Sequence, residues 1–303
     1  MDGVEIDESL VRFLLREQHP DLAGGDLRPV AAGWDNQLWR LGEEMAVRLP
    51  RTRRAPSLLL KERRWLPVLA PRLPLPVPVP VRAGEPCARF TKPWTVAAWV
   101  PGEPADRSPV RRGEHAADTL AGFLGALHRP APIEAPASSN RGVPLKGLAS
   151  EFDRKLQAAV SGSVATEVRG IWDEAVAAPR WQGPPLWLHG DLHPANVVVT
   201  GATLTGVIDF GELCAGDPAA DLAAAWLLLP EGAASRFLDA YADACGHVDR
   251  DEALILRARG WAVLRSLSLI DIGRAGERGL PGGQPTWGPA GRAALDRVLA
   301  FVA

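Results

Sequence analysis

The chain has 303 residues, of which 47% are hydrophobic and 23% charged, the balance of a globular protein rather than a disordered one. Three cysteines, at 87, 214 and 245, are too few and too scattered for a disulfide framework or a zinc site, and no apolar stretch approaches the ~18 residues that span a bilayer. The net charge of −2 argues against a nucleic-acid partner, and the acidic start, MDGVEIDESL, lacks the basic and apolar regions of a secretory signal, so a cytoplasmic protein with no membrane partner is expected.

In chain order, residues 5–18 read as an amphipathic helix, with Asp7 as N-cap and Ile6, Leu10, Val11, Leu14 and Leu15 recurring at helical spacing. Strand-like pieces follow at 27–32, 36–41 and 44–49. The connectors Gly33-Trp34-Asp35 and Gly42-Glu43 are short and turn-forming, which predicts an antiparallel meander. Residues 57–70 read as a helix capped by Ser57, with Glu62 in its middle and Pro67 kinking or ending it. The run 71–81, PRLPLPVPVPV, holds proline too densely for a central strand and predicts an extended polyproline-type crossing. It leads toward strands at 88–92 and 94–100, and Pro101-Gly102 then breaks the chain.

Beyond that break, helices are predicted at 113–128, once or twice within 147–178, and at 219–229, 233–245 and 252–273. The expectation is an α+β fold of two lobes. Residues 1–98 form a small antiparallel-sheet lobe, the join lies near 97–101, and residues 102–303 form a mainly helical lobe. Ligands are expected in a cleft between the two.

The chemistry concentrates in Leu186 to Leu222, LWLHGDLHPANVVVTGATLTGVIDFGELCAGDPAADL. Two apolar fragments, 197–199 and 204–208, flank Thr200-Gly201-Ala202 and read as a hairpin. Asn196 stands immediately before the first strand and Asp209 immediately after the second, so the hairpin is expected to bring them together at one end. A carboxylate and an amide oxygen are hard ligands that suit Mg²⁺ when it also binds phosphate oxygens. Asp191, five residues before Asn196, is placed to accept the proton of a hydroxyl attacking a phosphate. The alternation of His189, Asp191 and His193 would in isolation also suit a hydrolytic metal site. Asn196, the hairpin and Asp209-Phe210-Gly211 weigh against that reading.

His189 to Asn196 followed by Asp209-Phe210-Gly211 resembles the catalytic and metal-binding loops of the protein-kinase-like fold. The form H-G-D-x-H-x-x-N, then I-D-F-G, then D-P-x-x-D-L-A from Asp217 to Ala223, is similar to the aminoglycoside phosphotransferase family, which also includes macrolide, hygromycin and choline-type kinases. The resemblance extends over most of the chain. It implies transfer of the γ-phosphate of ATP or GTP to a small-molecule hydroxyl, with Asp191 as catalytic base and Asn196 and Asp209 as Mg²⁺ ligands. His193 stands where protein kinases carry a lysine and is assigned to the γ-phosphate. His189, Asp217 and Asp221 are assigned to bracing the loop, with Asp217 and Asp221 also capping the helix near 219.

In the first lobe the resemblance implies a cation on the third strand paired with a glutamate on the next helix. Here these are Arg48, in place of the usual lysine, and Glu62. The phosphate-covering loop reduces to Gly33 in GWDNQ, whose backbone amides, with Asn36, are assigned to the phosphates. Ala97-Ala98-Trp99 resembles the hinge that receives the nucleobase, so Trp99 is counted as nucleotide-binding. Arg48 also reads as a surface strand residue, Glu62 as a solvated helix charge, and Trp99, Trp261 and Trp287 as ordinary packing residues.

Charge is unevenly spread. Residues 1–150 carry 21 Lys and Arg against 17 Asp and Glu, whereas residues 151–303 carry 13 against 19. The acidic second half fits a polycationic acceptor, and an aminoglycoside is the expected substrate, with Asp239, Asp243, Asp271 and Glu277 as candidate contacts. The rivals are a macrolide, a choline-type amino alcohol and, from another class, a regulatory nucleotide-binding protein without turnover. Nothing in the sequence points to an oligomeric state.

Overall fold

The computed structural model describes residues 5–30, 33–246 and 251–301. Asp7 accepts the Leu10 amide at 2.8 Å and so satisfies one of the orphan donors that open a helix. Helix α1 (Glu8–Gln18) then turns Leu10, Val11, Leu14 and Leu15 onto a core shared with Leu27, Trp39, Leu41, Val47, Leu49, Phe90, Trp94 and Val96. The expected meander forms from β1 (Leu27–Pro29), β2 (Asn36–Leu41) and β3 (Met45–Pro50), all antiparallel. The strand expected to reach 32 ends at Pro29, and Ala31 and Ala32 lie outside the described residues.

Helix α2 (Ala55–Leu69) starts two residues earlier than the sequence suggests, with Pro56 in its first turn, where a missing N–H costs nothing. Ser57 therefore does not cap it and instead donates its hydroxyl to the Arg54 carbonyl at 2.7 Å. Pro67 is carried inside the helix, which ends at Leu69, so the lost hydrogen bond falls in the last turn. Two further strands, β4 (Pro80–Gly84) and β5 (Trp94–Ala98), complete a sheet ordered β1-β2-β3-β5-β4. The proline-rich approach leaves β4 at the sheet edge, with its register shifted between Pro80 and Arg82. The strand expected at 88–92 is absent. Cys87 and Phe90 exchange amide hydrogen bonds of 2.9 and 3.1 Å across a tight turn instead.

The chain forms two compact units. The first holds the described residues up to Arg72, Pro76–Pro101 and Val207–Gly211; the second holds Leu73–Leu75, Gly102–Gly206 and the described residues from Glu212 onward. In the second, β6 (Glu103–Pro104) precedes α3 (Gly113–Leu127), α4 (Ala149–Ala159) and α5 (Gly162–Ala177). Next come β7 (Leu186–Leu188), β8 (Val197–Thr200), β9 (Thr203–Val207) and β10 (Cys214–Gly216). The unit ends with the short α6 (Ala219–Leu222) and α7 (Ala224–Leu227), then α8 (Ala233–Ala244), α9 (Glu252–Glu277) and α10 (Trp287–Ala300).

The second unit is built around α9, on which α4, α5, α6 and α10 pack, while α3 packs on α8. Phe152 of α4 stacks on Trp172 of α5 with ring centroids 4.1 Å apart. The expected hairpin is β8–β9, turned by Gly201 and Ala202 at φ 58° and 64°, the left-handed pair that a two-residue hairpin demands. Helix α10 is not expected from the sequence, because the glycine-rich approach to it reads as loop. Among the described residues no helix is long and apolar enough to cross a membrane.

Candidate active site

Strand β7 pairs with β10 and delivers the chain into His189. There the backbone must turn sharply, and Gly190 supplies φ +80°, where an added Cβ would stand 2.5 Å from the Glu212 carbonyl. The fully buried carboxylate of Asp221 accepts the His189 amide at 2.6 Å and the Gly190 amide at 2.9 Å, and lies 3.3 Å from His128 Nε2. His189 Nδ1 receives the Asp191 amide at 3.2 Å. Asp217 accepts the Ala219 amide at 3.0 Å, which caps the start of α6, and the Nε of Arg257 at 2.7 Å. The bracing assigned to His189, Asp217 and Asp221 is thus visible atom by atom, with the capping falling to Asp217.

Asn196 Nδ2 donates to the Asp191 carbonyl at 2.9 Å and to Asp191 Oδ2 at 3.3 Å. Its donor end is committed, which leaves the side-chain oxygen as the atom suited to a cation. His193 is 3% exposed. It receives the Ala195 amide on Nδ1 at 3.4 Å, places Nε2 3.5 Å from Asp191 Oδ2, and meets Trp287 edge-on with centroids 4.5 Å apart. Its ring is therefore committed to Asp191 and Trp287. Trp261 is core.

Two arginines that sequence reasoning did not single out reach the same carboxylate. Arg141 Nη2 lies 3.3 Å from Asp191 Oδ1, and Arg265 Nη2 also ion-pairs with that oxygen. Burial and the neighbouring Arg141 both lower the Arg265 pKa, while Glu151 works the other way. A guanidinium starts so high that it stays cationic at neutral pH. Lys155, 8% exposed, has Glu151 Oε1 at 3.8 Å, and Arg154 has Asp271 at 3.9 Å.

In the first unit, Arg48 of β3 and Glu62 of α2 form a buried bidentate pair, Nη1 to Oε2 and Nη2 to Oε1, the second at 3.3 Å. Asp209 acts on both. Burial opposes the Arg48 charge, but the Glu62 and Asp209 carboxylates outweigh it and raise the guanidinium pKa. Burial pushes Glu62 up, Arg48 pulls it down, and Asp209 adds to the push. Neither a surface strand residue nor a solvated helix charge describes this pair. Asp209 is held at φ 61°, with Oδ1 receiving the Gly211 amide at 3.4 Å. A non-glycine residue there is uncommon, and such strain clusters at functional sites.

Asp35, between Gly33 and Asn36, accepts Arg54 Nη2 at 2.7 Å and ties the Gly33 turn to the segment after β3. Asn36 is buried, and its Oδ1 has no hydrogen-bond partner among the described residues. The Trp99 amide donates to the Glu44 carbonyl at 2.7 Å, and Arg40 lies over the Trp99 ring at 4.1 Å. That amide is therefore spent within the fold.

The family model described as the phosphotransferase enzyme family (APH) matches residues 26–262, which takes in the five-stranded sheet, the 189–196 loop and the first part of α9. The chain belongs to this phosphotransferase family. Its fold is that of solved relatives at low identity. A GDP and kanamycin complex of an APH(2") enzyme is 19% identical over 96% of this chain and 98% of that one, with a TM-score of 0.69. A macrolide 2'-phosphotransferase type I is 21% identical over 97% and 99%, with a TM-score of 0.63. The macrolide 2'-phosphotransferase MphH from Brachybacterium faecium, as apoenzyme, is 22% identical over 96% and 98%, with a TM-score of 0.62. The curated proteins yield no match. The α+β kinase-like fold and the phosphotransferase activity expected from the motifs are those of this family.

For magnesium, the donor chemistry of the phosphotransferase chain fits. Asn196 and Asp209 each offer an oxygen, and among the described residues no group of three or more His, Cys, Asp or Glu side chains could hold a metal.

Proposed function

We infer that this phosphotransferase moves the γ-phosphoryl group of ATP or GTP to the hydroxyl of a small molecule. The observation that carries this reading is the braced loop that presents the Asp191 carboxylate beside Asn196, together with the buried Arg48–Glu62 pair under the influence of Asp209. In the reading, Arg48 and the backbone amides near Gly33, with Asn36, hold the nucleotide phosphates, Glu62 orients Arg48, and Trp99 lies at the nucleobase. Asn196 and Asp209 hold Mg²⁺, which when bound neutralises charge on the β- and γ-phosphates. Asp191 orients the acceptor hydroxyl and takes its proton as the bond from that oxygen to the γ-phosphorus forms and the bond to the β–γ bridging oxygen breaks. The nucleoside diphosphate leaves with the bridging oxygen. Positioning and charge neutralisation supply most of the rate, since no covalent intermediate is needed. GDP and ATP, named with the solved relatives, support a purine nucleotide.

The aminoglycoside expected from the sequence rests on family resemblance. Of the acids offered as contacts, Asp239 and Asp243 are exposed on α8, while Asp271 and Glu277 each lie 3.9 Å from an arginine, Arg154 and Arg292. The test is a nucleotide-consumption screen with ATP and with GTP across aminoglycosides, macrolides and choline-like alcohols. Acceptor-dependent release of diphosphate supports phosphotransfer. Magnesium-dependent nucleotide binding with no consumption for any hydroxyl acceptor would favour a regulatory protein.

A further inference from the structure

The helical unit holds a cavity of about 320 Å³, at the small end of the range that takes small-molecule ligands. Its walls are mainly apolar. They include Leu186 at the head of β7, Pro218 and Leu222 flanking Asp221 in sequence, Leu238 on α8 and Ile255 on α9. His128, at the end of α3, and Tyr241 of α8 contribute buried polar groups, while Arg129 and Asp251 are the exposed charged members of the lining. Asp191, Asn196 and the other residues assigned to phosphotransfer do not line it.

The cavity is nevertheless wired to the turn before Asp191. The Tyr241 hydroxyl lies 2.7 Å from His128 Nδ1, and His128 Nε2 lies 3.3 Å from Asp221 Oδ2. Asp221 in turn holds the His189 and Gly190 amides at 2.6 and 2.9 Å. An opening that frees those amides must move either α6 or the end of β7. Pro218 and Leu222 on the one, and Leu186 on the other, are walls of the cavity. A molecule that fits the closed walls therefore binds the state with the amides held better than the opened state, and favours it by that difference.

The lining also says what chemistry would fit. Displacing water from the apolar walls rewards a single apolar ring. Of the two exposed charges, Asp251 already accepts the Leu254 amide at 3.0 Å as the cap of α9. The Arg129 guanidinium has no hydrogen bond or ion pair among the described residues, and its fork matches a carboxylate.

We propose that this cavity is an effector site for a one-ring monocarboxylate, whose ring fills the apolar space and whose carboxylate meets Arg129, and that its occupancy holds the 189–190 turn shut through His128 and Asp221. The site is distinct from that of nucleotide and acceptor. Binding and amide exchange read it directly, with no need for phosphotransfer to occur.

The experiment titrates the intact wild-type protein by calorimetry with benzoate and cyclohexanecarboxylate, and with benzamide and benzylamine as neutral and cationic controls. Hydrogen exchange of the His189 and Gly190 amides is followed with and without benzoate, with the amides of α1 as reference. The expected result is that at least one of the two acids binds about tenfold or more tightly than benzamide and benzylamine. At about 100 times its Kd it should slow exchange at His189 and Gly190 by about tenfold or more, toward the hundredfold limit of a ligand that binds only the closed state, and leave α1 unchanged. Ala242→Phe, which places a ring in the cavity from the half-buried Ala242 of its lining, should abolish both effects. Arg129→Gln, at an exposed position, should fold normally and bring the benzoate-to-benzamide affinity ratio to about one. Absence of binding by either acid, equal or tighter binding of benzamide or benzylamine, or full benzoate affinity in Arg129→Gln overturns the site. Binding that leaves the His189 and Gly190 amides as they were, or slows them only as much as those of α1, overturns the effector role.

Discussion

The carboxylate of Asp221 accepts the Gly190 amide at 2.9 Å from 31 residues away in sequence, so the turn before Asp191 is held by a residue on α6. Replacing Asp221 with Ala strips an acceptor from two buried amides, each worth about 1–3 kcal/mol when left unsatisfied. Unfolding in urea should therefore show a loss of roughly 2–6 kcal/mol, and the turnover of the remaining folded protein should fall. Gly190→Ala tests the same turn from the other side. A Cβ at φ +80° and 2.5 Å from the Glu212 carbonyl should cost more than about 1 kcal/mol in the same measurement and displace Asp191.

Asp191→Ala and Asp191→Asn should each lower kcat by about 10²–10⁴, the range of a positioned general base, while nucleotide affinity measured by calorimetry stays nearly unchanged. Turnover at the wild-type rate in the Asn variant, whose amide cannot take the hydroxyl proton, would remove Asp191 from the mechanism.

Asp209→Asn keeps the size and the left-handed tolerance of the position but removes one charge. Nucleotide affinity should fall by about tenfold or more in the presence of magnesium, since a charged group on a divalent ion contributes well over 1 kcal/mol. The loss should shrink when the same titration is run with a chelator. An affinity equal to wild type in magnesium would count against Asp209 as a ligand.

Glu62→Ala leaves the buried Arg48 guanidinium without its bidentate partner. Breaking a buried pair from one side costs about 3–5 kcal/mol, so the midpoint of chemical denaturation should drop markedly. Glu62→Gln, which keeps one acceptor for Arg48, should lose less stability. Equal losses in the two variants would show that the retained amide acceptor contributes nothing and that the charge of Glu62 carries the pair.

What the sequence made legible follows from chain distance. The turn, the hairpin and the interval from Asp191 to Asn196 are local, so residue type and spacing announce them. Arg48 and Glu62 could be paired only through the resemblance to kinases, which place a cation on the third strand and its glutamate on the next helix. The Asp191 environment was hidden because its two arginines come from a loop 50 residues before it and from a helix well after it. A trace did exist: Arg265 is the sole charge in the run 260–269, GWAVLRSLSL, and a lone arginine in so apolar a helix needs a buried acid. Helical periodicity could not say which one. Pro67 misled in the opposite direction, since a proline one turn from a helix end removes a bond that the terminus would have frayed anyway.

Five residues after β9's fourth strand position, Val207–Gly211, fold with the sheet unit rather than with the helices around them in sequence, and the Val207 amide donates to the Pro76 carbonyl at 3.1 Å. A fragment cut after Pro101 would therefore lack Asp209 and the backbone that closes against Pro76. The sheet unit cannot be excised as one stretch of gene; a split version would need the 207–211 peptide supplied back to it.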